Sequence, residues 1–454
     1  MLNIYRWSQT DPQIKKKITA RAMFDISEIH DYVAKWMDVI KTEGDDGIVK
    51  YTREFDNKNF QLKDLKVTRT DIEKAYKVVN PRVVEILKRQ ISISRENALS
   101  KAKQETVLKS FIPGVQVGYR ITPIESVGLA VPAGQVPLPT VMQILTVTAK
   151  AAGVPRVIAC YPYRGEYPEM LIAADIAGTD EVYRVGGIAG VAAMAYGTET
   201  IKPVLKIAGP GSVYTQAAKM LAYGKVVIDM VAGPSEAIIL ADKDANPIYC
   251  AADILARAEH APDAAGVLVT DSEALAIATQ KEVARQIQYL SRREVIEQSL
   301  GKYSCAIVTE SWQEAIDFTN EYSPEHLEVL VKEPFALLPQ LTNAGSIFLG
   351  EYAPVAIGDY ASGTNHILPT GHWPKMVSSV TVETFQKSTE IQYLTKEGLQ
   401  NLEEIVDVVS GIEKLDAHWN SVNVRIQKDK RLWDELNPAA PEPESEPTPA
   451  SQTS

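Results

Sequence analysis

The chain has 454 residues, 45% apolar and 23% charged, the composition of an ordinary globular protein long enough for two or three domains. With 47 basic and 58 acidic residues the net charge is −11, which argues against nucleic acid or an anionic membrane as partner. Cys160, Cys250 and Cys305 are scattered and odd in number, as buried thiols in a reducing compartment would be. No basic segment followed by an apolar core opens the chain, and no apolar run approaches the roughly 20 residues that span a bilayer, so a cytoplasmic location is expected.

Taken in chain order, the first third reads as helical. Ile26, Ile29, Val33, Trp36, Met37 and Ile40 repeat at helical spacing over Asp25–Lys41, as do Ile72, Ala75, Val78, Val83, Ile86, Leu87 and Ile91 over Asp71–Ala102. His30 is a lone helical histidine, so function is not expected to start here. From about Val117 short apolar strands alternate with helices. The strands are Gly128–Val131, Arg156–Tyr161, Glu181–Val185 and Val204–Ile207, then Glu236–Leu240, Gly266–Thr270, Ser304–Val308, Leu327–Val331 and Ser346–Leu349. This pattern predicts an α/β fold: two doubly wound (Rossmann-like) sheet domains with helical N-terminal and C-terminal extensions. The expected boundaries are 1–115 for the helical region, 116–235 and 236–375 for the α/β domains, and 376–436 for the C-terminal extension. Residues 437–454, rich in Pro, Glu, Ser and Thr, read as a disordered tail.

Ligands of such sheets bind beyond the carboxyl ends of the strands. Three glycine-bearing turns follow strands there: Val131-Pro132-Ala133-Gly134-Gln135, Val185-Gly186-Gly187-Ile188-Ala189-Gly190 and Ala208-Gly209-Pro210-Gly211-Ser212. Each is either a tight turn that needs glycine or a helix start whose N–H groups hold phosphate; three together favour a nucleotide. A fourth turn, Ala232-Gly233-Pro234-Ser235-Glu236, presents Ser235.

The second half carries the polar groups. Arg257 and His260 share a helical face. In Asn320-Glu321-Tyr322-Ser323-Pro324-Glu325-His326-Leu327-Glu328-Val329 a helix ends before a proline and a strand follows, which sets Glu325 beside His326 at a corner. A carboxylate can activate water, and an imidazole can take and return a proton. As a bare dipeptide the pair fits an exposed polar corner equally well. The loop Gly358–Thr370 adds Asp359 and His366, and Glu413, Asp416 and His418 lie near the join of two C-terminal helices. By type, His260, Asp359 and His418 suit zinc, without HxxH or HExxH spacing.

Together Ser323-Pro324-Glu325-His326-Leu327-Glu328, Gly358-Asp359-Tyr360-Ala361-Ser362-Gly363-Thr364-Asn365-His366-Ile367-Leu368-Pro369-Thr370, Ala232-Gly233-Pro234-Ser235-Glu236 and Ala258-Glu259-His260 resemble the signatures of the histidinol dehydrogenase family, over about Phe24 to Gln427. The resemblance implies a homodimer that oxidises L-histidinol to L-histidine with two NAD⁺ through an enzyme-held aldehyde, with zinc holding the substrate. It implies Glu325 as activator of water and His326 as proton carrier. Metal positions fall on His260, Asp359 and His418. Substrate contacts are implied at Ser235, His260, His326, Asp359, His366, Glu413 and His418, with His418 reaching the partner's site; Arg257 is a candidate substrate contact by its own charge.

The departures are specific. Arg257 stands where the family carries a zinc-ligating glutamine, and a guanidinium has no lone pair to give. Ala130, Ala189 and Ser212 replace side chains that contact the cofactor, leaving Ser212 as the candidate contact. Three readings follow: a histidinol dehydrogenase with an altered ligand set, a paralogue without the usual zinc whose Arg257 receives a carboxylate, sulfonate or phosphate of an acidic alcohol, or a non-catalytic homologue acting as a binding module.

Overall fold

The computed structural model describes residues 2–21, 26–103, 105–133 and 137–437. The turn at Gly134–Gln135 and the tail after Asn437 lie outside the described residues. The chain divides into two units, Met1–Lys103 with Pro123–Lys387, and Gln104–Thr122 with Ser388–Ser454.

The first unit holds both predicted parallel sheets. One has five strands in the order Glu181–Tyr183, Arg156–Cys160, Ser126–Ala130, Lys206–Ala208 and Val227–Ile228. The other has six, Asn3–Arg6, Cys305–Val308, Ala265–Thr270, Glu236–Ala241, His326–Leu330 and Ser346–Leu349. Glu236–Ala241, Ala265–Thr270 and His326–Leu330 are buried at every residue, as expected of parallel strands covered by helices on both faces. The chain start departs from the helical expectation: Asn3–Arg6 pairs in parallel with Cys305–Val308 as the edge strand of the second sheet. Four residues are too few to show a strand period, and their partner lies some 300 positions away.

Helix boundaries follow their caps. The Asn246 side chain accepts from Ile248 N at 2.9 Å and Pro247 takes the first helical position, where its missing N–H costs nothing. The resulting helix, Pro247–Ala258, carries Arg257 in its last turn, where the helix dipole favours a cation. In the first sheet, Gly209 (φ 128°) ends Lys206–Ala208; a side chain there would run into the Ala130 carbonyl. Lys219 fixes that turn from below. Fully buried, it donates to the Gly209 and Met230 carbonyls at 2.9 and 2.8 Å and pairs with Asp229 at 2.5 Å. Lys219→Met would strand the Asp229 carboxylate, and a stability loss of about 3–5 kcal/mol is expected in urea denaturation.

The second unit contains a three-stranded sheet in the order Gln386–Leu394, Val115–Pro123 and Thr106–Ile112, the last two antiparallel, and the helices Lys396–Glu413 and Asp416–Ile426. Trp419 is buried between helical segments, and Arg431 bonds both Asp407 and Asp416 there, at 2.9 and 2.7 Å. Sequence reading missed this sheet because Thr106–Ile112 is mostly exposed and shows no apolar alternation.

Candidate active site

At the corner, helix Trp312–Tyr322 starts at a Ser311 cap and ends on Ser323, a non-glycine residue at φ 54°. Pro324 then blocks continuation, and strand His326–Leu330 begins two residues later. Gly345 lies so close that a Cβ on it would approach the Glu325 carbonyl to 2.6 Å. The corner is therefore shut: Glu325 is 7% and His326 2% exposed, which removes the exposed-corner reading.

The strands are parallel, so the starts of Glu236–Ala241 and His326–Leu330 lie on one edge of the sheet, with Ala237 opposite His326. The polar cluster thus sits at the amino ends of the second sheet, where the helix-to-strand corner puts Glu325 and His326, and not at the carboxyl ends beyond which ligands of such sheets usually bind. Strand starts leave peptide groups available to grip side chains. Glu236 N donates to Glu325 Oε2 at 2.9 Å and the Glu236 carbonyl meets His326 Nδ1 at 3.1 Å. Ser235 Oγ also donates to Glu325 Oε2, at 2.7 Å, and His326 Nδ1 lies 3.3 Å from that oxygen. Phe348 stacks on the imidazole at 5.9 Å between centroids.

Arg257 donates through Nη1 to Ser235 Oγ at 2.5 Å, and its Nη2 lies 3.7 Å from Asp359 Oδ2. Asp359 Oδ1 is 3.7 Å from His326 Nε2. Arg257 Nε, His326 Nε2 and His366 Nε2 are buried without a hydrogen-bond partner among the described residues.

The electrostatics couple Glu325 and His326, each favouring the charged form of the other. Burial raises the Glu325 carboxyl, but the His326 and Arg257 cations and the Ser235 hydroxyl outweigh it and leave its pKa below the ordinary value. His326 is held above its ordinary value: burial and Arg257 oppose protonation, and the Glu325 and Asp359 carboxylates overcome them. Asp359, despite burial, is drawn down to about 2 by His326 and Arg257. Burial depresses His366. His260 falls to about 4 through desolvation and the Arg257 guanidinium; because the residue is exposed in this chain, the nearby positive charge is the firmer cause.

Among the described residues no group of three His, Cys, Asp or Glu side chains is arranged to hold a metal ion. The chemistry of the donor set agrees, since the Asp359 carboxylate already faces the Arg257 guanidinium. A cation there would have to displace a positive charge that cannot be removed by deprotonation. These residues do not fit zinc. Glu413 and His418 belong to the second unit, both exposed, on either side of the chain reversal at Lys414 (φ 58°).

The carboxyl ends of the first sheet carry a cleft of about 480 Å³. The three glycine turns line it through Ala130–Ala133, Gly186–Ile188 and Pro210–Ser212. Ser212 caps helix Val213–Ala222 and is exposed; Ala189 is fully buried. Contrary to the expectation for the N-terminal region, helix His30–Phe55 supplies Tyr32, Tyr51 and Phe55 to the wall, and the Asp56–Arg164 ion pair (2.8 Å) closes one side. Two tyrosines and a phenylalanine in one helix were the available signal. Glycine turns with free helix starts and flat aromatic walls suit a dinucleotide.

Fold and site together define a two-sheet α/β protein with a glycine-lined cleft on one sheet and a buried carboxylate–imidazole pair on the other. A profile of the histidinol dehydrogenase family matches residues 19–426. Histidinol dehydrogenase from Methanothermobacter thermautotrophicus is 42% identical over 414 residues, 90% of this chain and 96% of the relative; that from Heliobacterium mobile is 42% identical over 89% and 95%. The crystal structure of histidinol dehydrogenase from Elizabethkingia anophelis superposes with a TM-score of 0.89 at 33% identity, covering 94% of this chain and 98% of that one. The chain belongs to the histidinol dehydrogenase family, and its class is that of an oxidoreductase.

Proposed function

We propose that the chain is an NAD-dependent dehydrogenase that carries an alcohol through an aldehyde to the acid, with L-histidinol to L-histidine as the leading reaction. The Glu325–His326 pair is the observation that supports this reading, because both partners are locked by the Ser235 hydroxyl and the Glu236 peptide. NAD⁺, when bound, would accept the two hydrides, and the glycine-lined cleft is where it would lie. His326 takes the hydroxyl proton as the first hydride leaves the carbinol carbon. The bonds on Glu325 converge on Oε2, leaving Oε1 to accept a proton from the water that adds to the aldehyde carbon. His326 takes the proton of the resulting diol as the second hydride departs. The balance is alcohol, water and two NAD⁺ to carboxylate, two NADH and three protons. Glu413 and His418 would join the site from the partner of a homodimer.

Arg257 favours a second substrate class. A buried guanidinium with an unpaired Nε suits the carboxylate, sulfonate or phosphate of an acidic alcohol better than it suits an imidazole held by zinc. Purified chain is tested for bound zinc and for NADH formed per alcohol. Two NADH per L-histidinol with stoichiometric zinc supports the first class. Turnover of an anionic alcohol alone, without zinc, supports the second. A folded chain that oxidises neither overturns both and leaves a binding module.

A further inference from the structure

The Glu236 peptide grips both members of the Glu325–His326 pair, so whatever fixes Glu236 sets their geometry. Its side chain is 3% exposed. Glu236 Oε1 accepts from Glu325 N at 3.3 Å and from Gly371 N at 3.1 Å. The same oxygen takes the Nη1 donor of Arg21 at 2.6 Å. Arg21 is itself 4% exposed at the side chain, and its Cζ lies over the Tyr322 ring, 3.5 Å from its centroid. Tyr322 ends the helix that leads into the corner. One guanidinium therefore touches the helix before the pair and the carboxylate behind it.

Asn3–Arg6 lies three strand spacings from Glu236–Ala241 and runs parallel to it, so Arg6 ends at the opposite end of the sheet from Glu236. Residues 7–11 and helix Pro12–Ala20, which rises about 13 Å at about 1.5 Å per residue, bring the chain back to it. Trp7 and Ile18 join the apolar cluster of helix Trp312–Tyr322 along the way, and Trp7 packs edge-on against Phe318 at 4.7 Å. The helix then stops on Arg21, which adopts φ 57°. Left-handed backbone at an arginine is disfavoured, and here it accompanies the turn that seats the guanidinium.

We infer that Arg21 is a positioning residue: the N-terminal strand and helix deliver its guanidinium to Glu236, and through the Glu236 carboxylate and peptide it holds the Glu325–His326 pair in register. Arg21 touches no reacting atom. Its effect on turnover rests on the dehydrogenase reading, whereas its effect on the corner backbone does not.

Two measurements on the full chain separate these. Amide hydrogen exchange is followed for Glu325 and Gly371, the two N–H groups that share Glu236 Oε1 with Arg21. Arg21→Met should speed exchange at both by at least about tenfold while exchange in the first sheet stays unchanged. With L-histidinol and NAD⁺, Arg21→Met should lower kcat by about 10- to 100-fold with KM within about threefold, since misplacement of a reacting group by about 1 Å costs on that order. Arg21→Lys, which restores the charge without the fork, should recover most of the loss. Unchanged exchange at both amides in Arg21→Met overturns the inference whether or not L-histidinol is a substrate. Faster exchange with no turnover of L-histidinol by the unmodified chain supports the inference and removes L-histidinol as the substrate instead. Should Arg21→Met not melt cooperatively, the comparison is made on Arg21→Gln, which also removes the charge, and exchange and kcat there both identical to the unmodified chain overturn the inference.

Discussion

Glu325→Gln is expected to leave the chain folded and to stop the reaction at the aldehyde. The amide is isosteric, and its oxygen can still accept from Ser235 Oγ and Glu236 N, the two bonds that seat the side chain. What it loses is the capacity to take a proton from water, an effect of about 10²- to 10⁴-fold in general-base catalysis. It also withdraws one of the two carboxylates that hold His326 above its ordinary pKa. The imidazole is then neutral over more of the pH range, and the first oxidation, which needs it as a base, keeps that requirement satisfied. The two half-reactions should therefore separate. Single-turnover NADH formation in the presence of a carbonyl trap should approach one NADH per site with trapped aldehyde, against two NADH and acid in the unmodified chain. Acid formed at the unmodified rate by Glu325→Gln would sink the water-activating role.

The two parallel sheets were legible because strands such as Glu236–Ala241 are buried on both faces and announce themselves as unbroken apolar runs between helices. Glu325 and His326 were legible as a motif. Their burial was not: it depends on the bare Cα of Gly345 and on the left-handed turn at Ser323, features of a neighbouring strand and a backbone angle that no side-chain pattern reports. Placement at the amino end of its strand follows from the order of helix then strand at the corner, although the general rule for ligands of such sheets points to the carboxyl ends. The Arg21–Glu236 pair spans 215 positions, and nothing local to either residue predicts the other. Charge identity, by contrast, was readable in advance at one position. Arg257 could be recognised as unsuited to a metal from its chemistry alone, and the structure adds what it touches.

Arg257→Gln should raise the affinity of the purified chain for zinc by about three orders of magnitude. The guanidinium lies 3.7 Å from the Asp359 carboxylate and is 3% exposed, so it faces any cation that Asp359 would ligate. Two unit charges about 4 Å apart interact by about 4 kcal/mol at an effective dielectric of 20, and removing that repulsion alone is worth roughly a thousandfold at 1.4 kcal/mol per decade. Glutamine also brings a carbonyl oxygen where there was no donor lone pair. His260 gains as well, since Arg257 is one cause of its depressed pKa; the ring becomes more basic and so a stronger ligand, yet an ordinary histidine is still largely neutral above pH 7. Ser235 loses the 2.5 Å bond from Nη1 but keeps its own bond to Glu325, so the Glu325–His326 pair should persist. The same substitution removes the cation that would receive an acidic substrate, and turnover of a carboxylate-, sulfonate- or phosphate-bearing alcohol should fall at least about tenfold in kcat/KM. Competition against a chromophoric chelator measures the first effect and initial rates the second. Zinc affinity unchanged by Arg257→Gln would mean that the guanidinium does not control the cation site, and the pocket would have to exclude zinc by geometry instead of charge.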